Sequence, residues 1–253
     1  MKVTWPQILW VARHGQSAGN VARDAAEAAG HVMIDIHYRD IDTPLSALGV
    51  EQSRALGRWF GALPAKDRPT VILCSPYVRA RETARLVAAE AGWNTGVDLR
   101  LRMDERLREK EFGVLDRLTV HGIQGKFPEL HSQRGHVGKF YFRPPGGESW
   151  CDVILRLRSL TEMMTREHGG ERVLVVAHQV IVNCMRYLVE NLDEKQILEI
   201  DRKGDVPNCA ITSYRHDPGT DCLELDLVNF ISPLVQAGAP VTAAPDAQAA
   251  PKP

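Results

Sequence analysis

Val173-Leu174-Val175-Val176-Ala177 is an unbroken aliphatic run that stops at His178-Gln179. A run of this length with no polar alternation reads as a central strand buried on both faces, which requires helices above and below its sheet. Ile8 to Ala12 repeats the pattern and runs into Arg13-His14-Gly15; Thr70 to Cys74 is a third such run and stops at Ser75-Pro76. Amphipathic spacing predicts helices between them. One spans Ser17 to Ala29, closed by Gly30, and the next starts at a Ser46 cap and carries Leu48, Gln52, Ala55, Leu56, Trp59 and Phe60 as far as Pro64. Others cover Tyr77 to Ala91, Ser149 to His168, and the stretch from Gln179 to Leu192. Strand and helix in alternation predict the α/β class, with a mostly parallel central sheet flanked on both faces in three layers. Leu99, Leu101 and Met103 alternate with Arg100 and Arg102, the pattern of a strand with one wet face, and Asn208 to Tyr214 with Leu223 to Val228 form a closing strand pair.

From Asp104 to Gly147 periodicity fails, apart from a helix over Thr119–Phe127 stopped by Pro128. Irregular chain of that length inside a compact domain is expected to be a lid or binding loop. The expected organisation is one domain over residues 1–235 with an insertion at about 104–147. An Ala/Pro-rich tail over 236–253 is expected to be disordered. With 31 Lys and Arg against 32 Asp and Glu, the net charge of −1 gives no electrostatic case for nucleic acid or an anionic membrane as a partner. No apolar run approaches the roughly 20 residues that cross a bilayer, so a cytoplasmic location is expected. Five cysteines, odd in number and without a CxxC pair, argue against a disulfide framework or a zinc site.

Three strand ends therefore carry unusual polar groups: Arg13-His14-Gly15, Ser75 with Arg79 one helical turn on, and His178. The crevice outside the carboxyl ends of strands is where open α/β sheets bind ligands. Between these segments lies Leu107-Arg108-Glu109-Lys110-Glu111-Phe112-Gly113. A single Arg-His-Gly means little, but this ordered set, from Ile8 to about Leu223, resembles the histidine phosphatase (phosphoglycerate mutase-like) superfamily. The resemblance implies phosphoryl transfer or hydrolysis through a phosphohistidine. It makes His14 the nucleophile, Arg13 and Asn20 phosphate-gripping partners, Arg79 the second phosphate arginine and His178 the second histidine. It also makes Glu109 the proton donor, with Glu111 and Glu105 as rivals.

The chemistry needs these residue types. A phosphomonoester dianion stripped of water needs fixed cations around its oxygens, and arginine presents a planar fork that stays charged when buried. Neither a metal nor a cofactor is then required. His14 has to attack as neutral imidazole, its other nitrogen donating to a backbone carbonyl near Gly15. The leaving alkoxide needs a proton from Glu109, which burial of the carboxyl favours and the nearby arginines oppose.

Gln179 after the second histidine, Phe127-Pro128-Glu129, and the segment Lys139 to Ser149 further resemble the branch containing the bisphosphatase domain of the fructose-2,6-bisphosphate enzymes. That resemblance implies that Gln179, Arg134 and Lys139 hold the sugar-phosphate end. The branch's lid tyrosine is Val120 here, and the arginine that follows its second histidine is Asn183. Asn208, just before a strand, is a further candidate for reaching the site. The expected partner is a small-molecule phosphoester, with homodimerisation left open. A cofactor-dependent mutase and a phosphoprotein-binding or dephosphorylating module are the alternatives. Mutases of this family carry a longer segment between acid and second histidine than this chain does.

Overall fold

The computed structural model describes residues 4–94 and 99–243. β1 (Ile8–Arg13) leads through α1 (Ala18–Ala28) and α2 (Ala47–Ala62) to β2 (Val71–Cys74), and α3 (Val78–Glu90) leads to β3 (Arg100–Met103). Between β3 and the next long helix lie α4 (Val120–Lys126) and α5 (Pro128–Val137). After it come α6 (Trp150–Glu167), β4 (Arg172–Ala177), α7 (Gln179–Val189), α8 (Glu194–Lys203), β5 (Ile211–Asp217), β6 (Cys222–Phe230) and α9 (Ser232–Gln236).

The strands form one sheet in the order β3-β2-β4-β1-β5-β6. The first four are mutually parallel, and β5 and β6 add antiparallel. Each aliphatic run feeds both layers through the period-two alternation of side chains. Leu9, Val11, Leu73, Val173 and Val175 pack with α6 and α7, whereas Ile8, Trp10, Ala12, Ile72, Leu174 and Val176 pack with α2 and α3. The α/β expectation therefore holds.

This topology places the site. The connection from β1 travels toward β2, and that from β4 travels the opposite way toward β5, so neighbouring β1 and β4 flank a switch point at their carboxyl ends. His14 follows one strand and His178 the other.

Two local readings change, at Pro128 and at β3, and two helices leave little apolar period to read. Pro128 was expected to stop a helix, and it does end α4, but it also opens α5 from that helix's first turn. Proline suits that position because its missing N–H would be unpaired there anyway. α5 buries none of its residues and so leaves no apolar period to read. α8 buries only Ile197, and its sequence signal is the capping box between Asp193 and Gln196. On edge strand β3, Leu99 is buried and both arginines are exposed, but Met103 at its open end is exposed too. Of the stretch expected to be a disordered tail, α9 reaches Gln236, and Pro240 and Thr242 hydrogen-bond Gln52 and Asn208. Residues 244–253 lie outside the described residues.

Candidate active site

The backbone of His14 extends the β1–β4 ladder, its N–H donating to Ala177 O at 2.9 Å. The loop that follows is held from several elements. Gly15 N–H donates to Thr83 Oγ1 at 3.0 Å, Gln16 N–H to Gln52 Oε1 at 2.9 Å, and Asn208 Nδ2 donates to His14 O at 3.0 Å. The contact with α2 tolerates no side chain, since a Cβ on Gly49 would lie 1.9 Å from Gln16 O. The imidazole is fixed as expected from the sequence: Nδ1 lies 2.6 Å from Gly15 O, so it carries the proton and donates. Nε2 is then the lone-pair nitrogen, and Arg79 Nε–H donates to it at 3.2 Å.

Arg13 and Arg79, the arginines expected to grip phosphate, are both buried. Arg13 Nη1 donates to Gln179 Oε1 at 2.9 Å and to Val206 O, while Gln179 Nε2 donates to Asp205 at 2.9 Å. Gln179 thus sets the direction of Arg13, a role its assignment to a sugar phosphate did not include. Arg79, from the first turn of α3, donates to Asp40 O at 2.6 Å and pairs with its carboxylate at 3.0 Å. A phosphoryl group entering here has to share or displace Asp40, which lies in an aperiodic stretch that gave no sequence signal. Asn20 Oδ1 accepts from Ser17 N–H at 3.0 Å, closing the capping box of α1 and leaving the amide NH2 as the donor end.

The His178 ring centroid lies 5.1 Å from that of His14. Its Nε2 bonds Ser75 Oγ at 2.8 Å, and its Nδ1 is buried without a hydrogen-bond partner among the described residues. Tyr77 packs on it edgewise at 5.1 Å. Burial first, then the charges of Arg79 and Arg13, hold the pKa of His14 well below 6.5. Burial and Arg79 do the same for His178, with smaller contributions from His14 and Arg13. Groups whose folded pKa is depressed stabilise the fold above the unfolded value, and that contribution is lost as pH falls through 6.5 toward the folded pKa. Urea unfolding is therefore expected to show stability declining below pH 6.5 by up to about 1.4 kcal/mol per pH unit for each histidine. A double His14→Gln, His178→Gln variant should flatten that decline; an equally steep decline would contradict it.

Glu109 lies in the loop before Phe112 and lines the same cleft as His14, Arg13, Arg79, Asn20 and Gln179, a space of about 700 Å³. Its rivals do not: Glu105 is exposed, and Glu111 accepts from Tyr77 Oη at 3.2 Å. Glu148, which the sequence suggested only as helix-start chemistry, holds this loop. It accepts from Arg108 at 2.7 Å, Arg156 at 3.0 Å and Glu111 N–H at 3.1 Å, while Arg156 also donates to Glu109 O at 3.3 Å. Burial is the largest influence on the pKa of Glu148 and raises it, but the hydrogen bond and charge of Arg156, the Glu111 N–H and the charge of Arg108 together outweigh it and leave the carboxyl below its ordinary value. Gly113, at φ +56, packs so closely that a Cβ would lie 2.1 Å from Pro145 O.

Arg134 and Lys139 are not brought to His14. They line a neighbouring cleft of about 430 Å³ that shares Phe112 with the first, and Lys139 pairs with Asp201 at 2.7 Å. Asn183 donates to the same Asp201 at 3.5 Å. Among the described residues no cluster of three or more His, Cys, Asp or Glu is placed to hold a metal ion, and no helix is long and apolar enough to cross a membrane.

The sequence profile of the histidine phosphatase superfamily (branch 1) matches residues 9–229. A 2,3-bisphosphoglycerate-dependent phosphoglycerate mutase of Methylobacterium sp. (strain 4-46) is 34% identical over 192 residues, 74% of this chain and 81% of the relative. Among solved structures, the native mycobacterial glucosyl-3-phosphoglycerate phosphatase is 27% identical with a TM-score of 0.66, covering 88% of this chain and 98% of its own. The alpha-ribazole phosphatase from Shigella flexneri, at 20% identity, shares the fold with a TM-score of 0.69 over 88% of this chain and 96% of its own.

Proposed function

The chain belongs to the histidine phosphatase superfamily, and on that footing we propose that it hydrolyses a small phosphomonoester through a phosphohistidine at His14. The observation that supports this best is the fixed tautomer: Gly15 O accepts a hydrogen bond from Nδ1–H, and Nε2 keeps its lone pair in a cleft lined by the two buried arginines. In the first half-reaction Nε2 attacks phosphorus in line with the ester oxygen, and the P–O bond to the alcohol breaks. Arg13 and Arg79 take up charge on the phosphoryl oxygens, the donor end of Asn20 adds a hydrogen bond, and His178 supports the same group from its unpartnered nitrogen. Glu109 gives the departing oxygen its proton. In the second half-reaction the same carboxylate takes a proton from water as it attacks the phosphorus of phospho-His14, releasing phosphate and the neutral imidazole.

The names of sequence relatives favour the mutase reading, which uses the same core. Isomerisation through a bisphosphorylated intermediate needs two strong anion sites in one cleft. Here one site is made of buried cations; Arg23 is only half-buried, and Arg117 donates to the Ile36 and Tyr38 carbonyls. This favours hydrolysis, and the name of the glucosyl-3-phosphoglycerate phosphatase supports a phosphorylated glycerate derivative as the kind of substrate to test. A phosphate-release screen over sugar, glycerate and nucleoside phosphates, run with EDTA, is expected to give turnover that chelation leaves unchanged. Fast conversion of 3-phosphoglycerate to 2-phosphoglycerate with a bisphosphoglycerate primer and no phosphate release would overturn the assignment.

A further inference from the structure

Gln52 and Asn208 are both fully buried, and neither lines the cleft, yet each holds the nucleophile loop by one hydrogen bond. A primary amide can hold a partner in only one of its two orientations. Gln52 has to present Oε1 to the Gln16 N–H, and Asn208 has to present Nδ2 to His14 O; a flip of either sets like against like. What fixes both orientations is the chain segment after α9. Gln52 Nε2 donates to Pro240 O at 2.8 Å and to Thr242 Oγ1 at 3.0 Å, which uses both of its protons. Thr242 Oγ1 donates its own proton to Asn208 Oδ1 at 3.0 Å, and Asn208 N–H donates to Thr242 O at 2.8 Å. One hydroxyl is therefore acceptor for one amide and donor to the other, and each amide ends on the backbone beside His14.

We propose that residues 240–242 are a strap that positions the nucleophile loop from outside the cleft, and that the Thr242 hydroxyl is its positioning group. Thr242 touches no substrate. It acts through Asn208 and Gln52, and displacement of His14 by about 1 Å is enough to cost up to a hundredfold in rate. The kinetic part of this inference rests on the hydrolase reading; the structural part does not.

Valine has the shape of threonine without the hydroxyl, so Thr242→Val in the full chain removes two of the strap's bonds, and Thr242→Ser restores them. With p-nitrophenyl phosphate, Thr242→Val is expected to lower kcat about tenfold with KM within about twofold, and Thr242→Ser to stay within about twofold of the unaltered chain. Amide hydrogen exchange at Gln16, whose N–H is bonded by Gln52, should speed up about tenfold in the valine variant while the slowest-exchanging amides of β1 and β4 hold their rates. Gln16 protection that stays the same, or that falls only as far as global protection falls, would overturn the strap whatever the kinetics show. A chain that releases no phosphate from any ester but loses Gln16 protection in Thr242→Val would leave the strap standing and remove the hydrolase reading.

Discussion

Replacing His14 by alanine is expected to reduce phosphate release on the order of 10⁴-fold or more in kcat, while the chain still folds. The loss is this large because no other group in the cleft can take over. His178 is the imidazole beside it, but its Nε2 is committed to Ser75 Oγ, and its Nδ1 has to carry a proton to hold the phosphoryl group, so it has no lone pair with which to attack. A variant limited to water as nucleophile keeps the arginine cradle and loses the covalent route, so phosphate should still bind when turnover is gone. Folding survives because the backbone bonds to Ala177, Asn208 and Thr83 do not involve the ring. The Nδ1–Gly15 bond that is lost contributes about 0.5–1.5 kcal/mol. Quenching the unaltered chain during turnover with denaturant at alkaline pH should trap a phosphoryl label on residue 14 that is stable in alkali and lost in acid, and the alanine variant should trap none. Turnover that persists in the variant at more than a few per cent would mean that the phosphoryl group travels by another path.

Much of the site was readable because its chemistry sits at strand ends, and strands buried on both faces announce themselves as aliphatic runs. Ile8–Ala12 and Val173–Ala177 pointed to β1 and β4, and just past their ends stand the two imidazoles, with ring centroids 5.1 Å apart. Arg79 was readable because α3 has an amphipathic period. Thr83 lies one turn further along the same helix, yet its bond to Gly15 depends on how α3 docks on the β1 loop, and no local pattern encodes that. Gln52 left a fainter trace, a polar residue at a buried position of α2's period. Arg134 and Lys139 were named by resemblance and not by any local pattern. Arg134 lies on α5, which buries no residue, Lys139 lies beyond it and pairs with Asp201 of α8, and both line the neighbouring cleft. Asp40 and the Pro240–Thr242 segment lie where the sequence has no period at all. Their positions are set by charge and by buried amides that need partners, which are visible only once the chain has folded.

Glu109→Gln is expected to separate substrates by their leaving groups. Glutamine keeps the shape, and its amide oxygen can still accept from Lys110 N–H, which bonds Glu109 Oε1 at 2.8 Å, so the loop that Arg156 and Glu148 hold should stay in place. What glutamine lacks is a proton to give. An alkyl phosphate leaves as a strongly basic alkoxide unless protonated, and kcat/KM for such esters should fall by roughly 10²–10⁴. A nitrophenolate needs almost no protonation, and kcat/KM for its ester should fall less than about tenfold. The comparison has to use kcat/KM because that ratio reports only steps up to loss of the alcohol. The turnover number also contains hydrolysis of phospho-His14, where the missing base slows every substrate alike. For the nitrophenyl ester the variant should therefore show a burst of nitrophenolate equal to the enzyme present, followed by a slow steady state. Equal losses of kcat/KM on both esters would take the proton-donor role away from Glu109, and the same selective loss in Glu111→Gln would transfer it to the carboxylate now bonded to Tyr77.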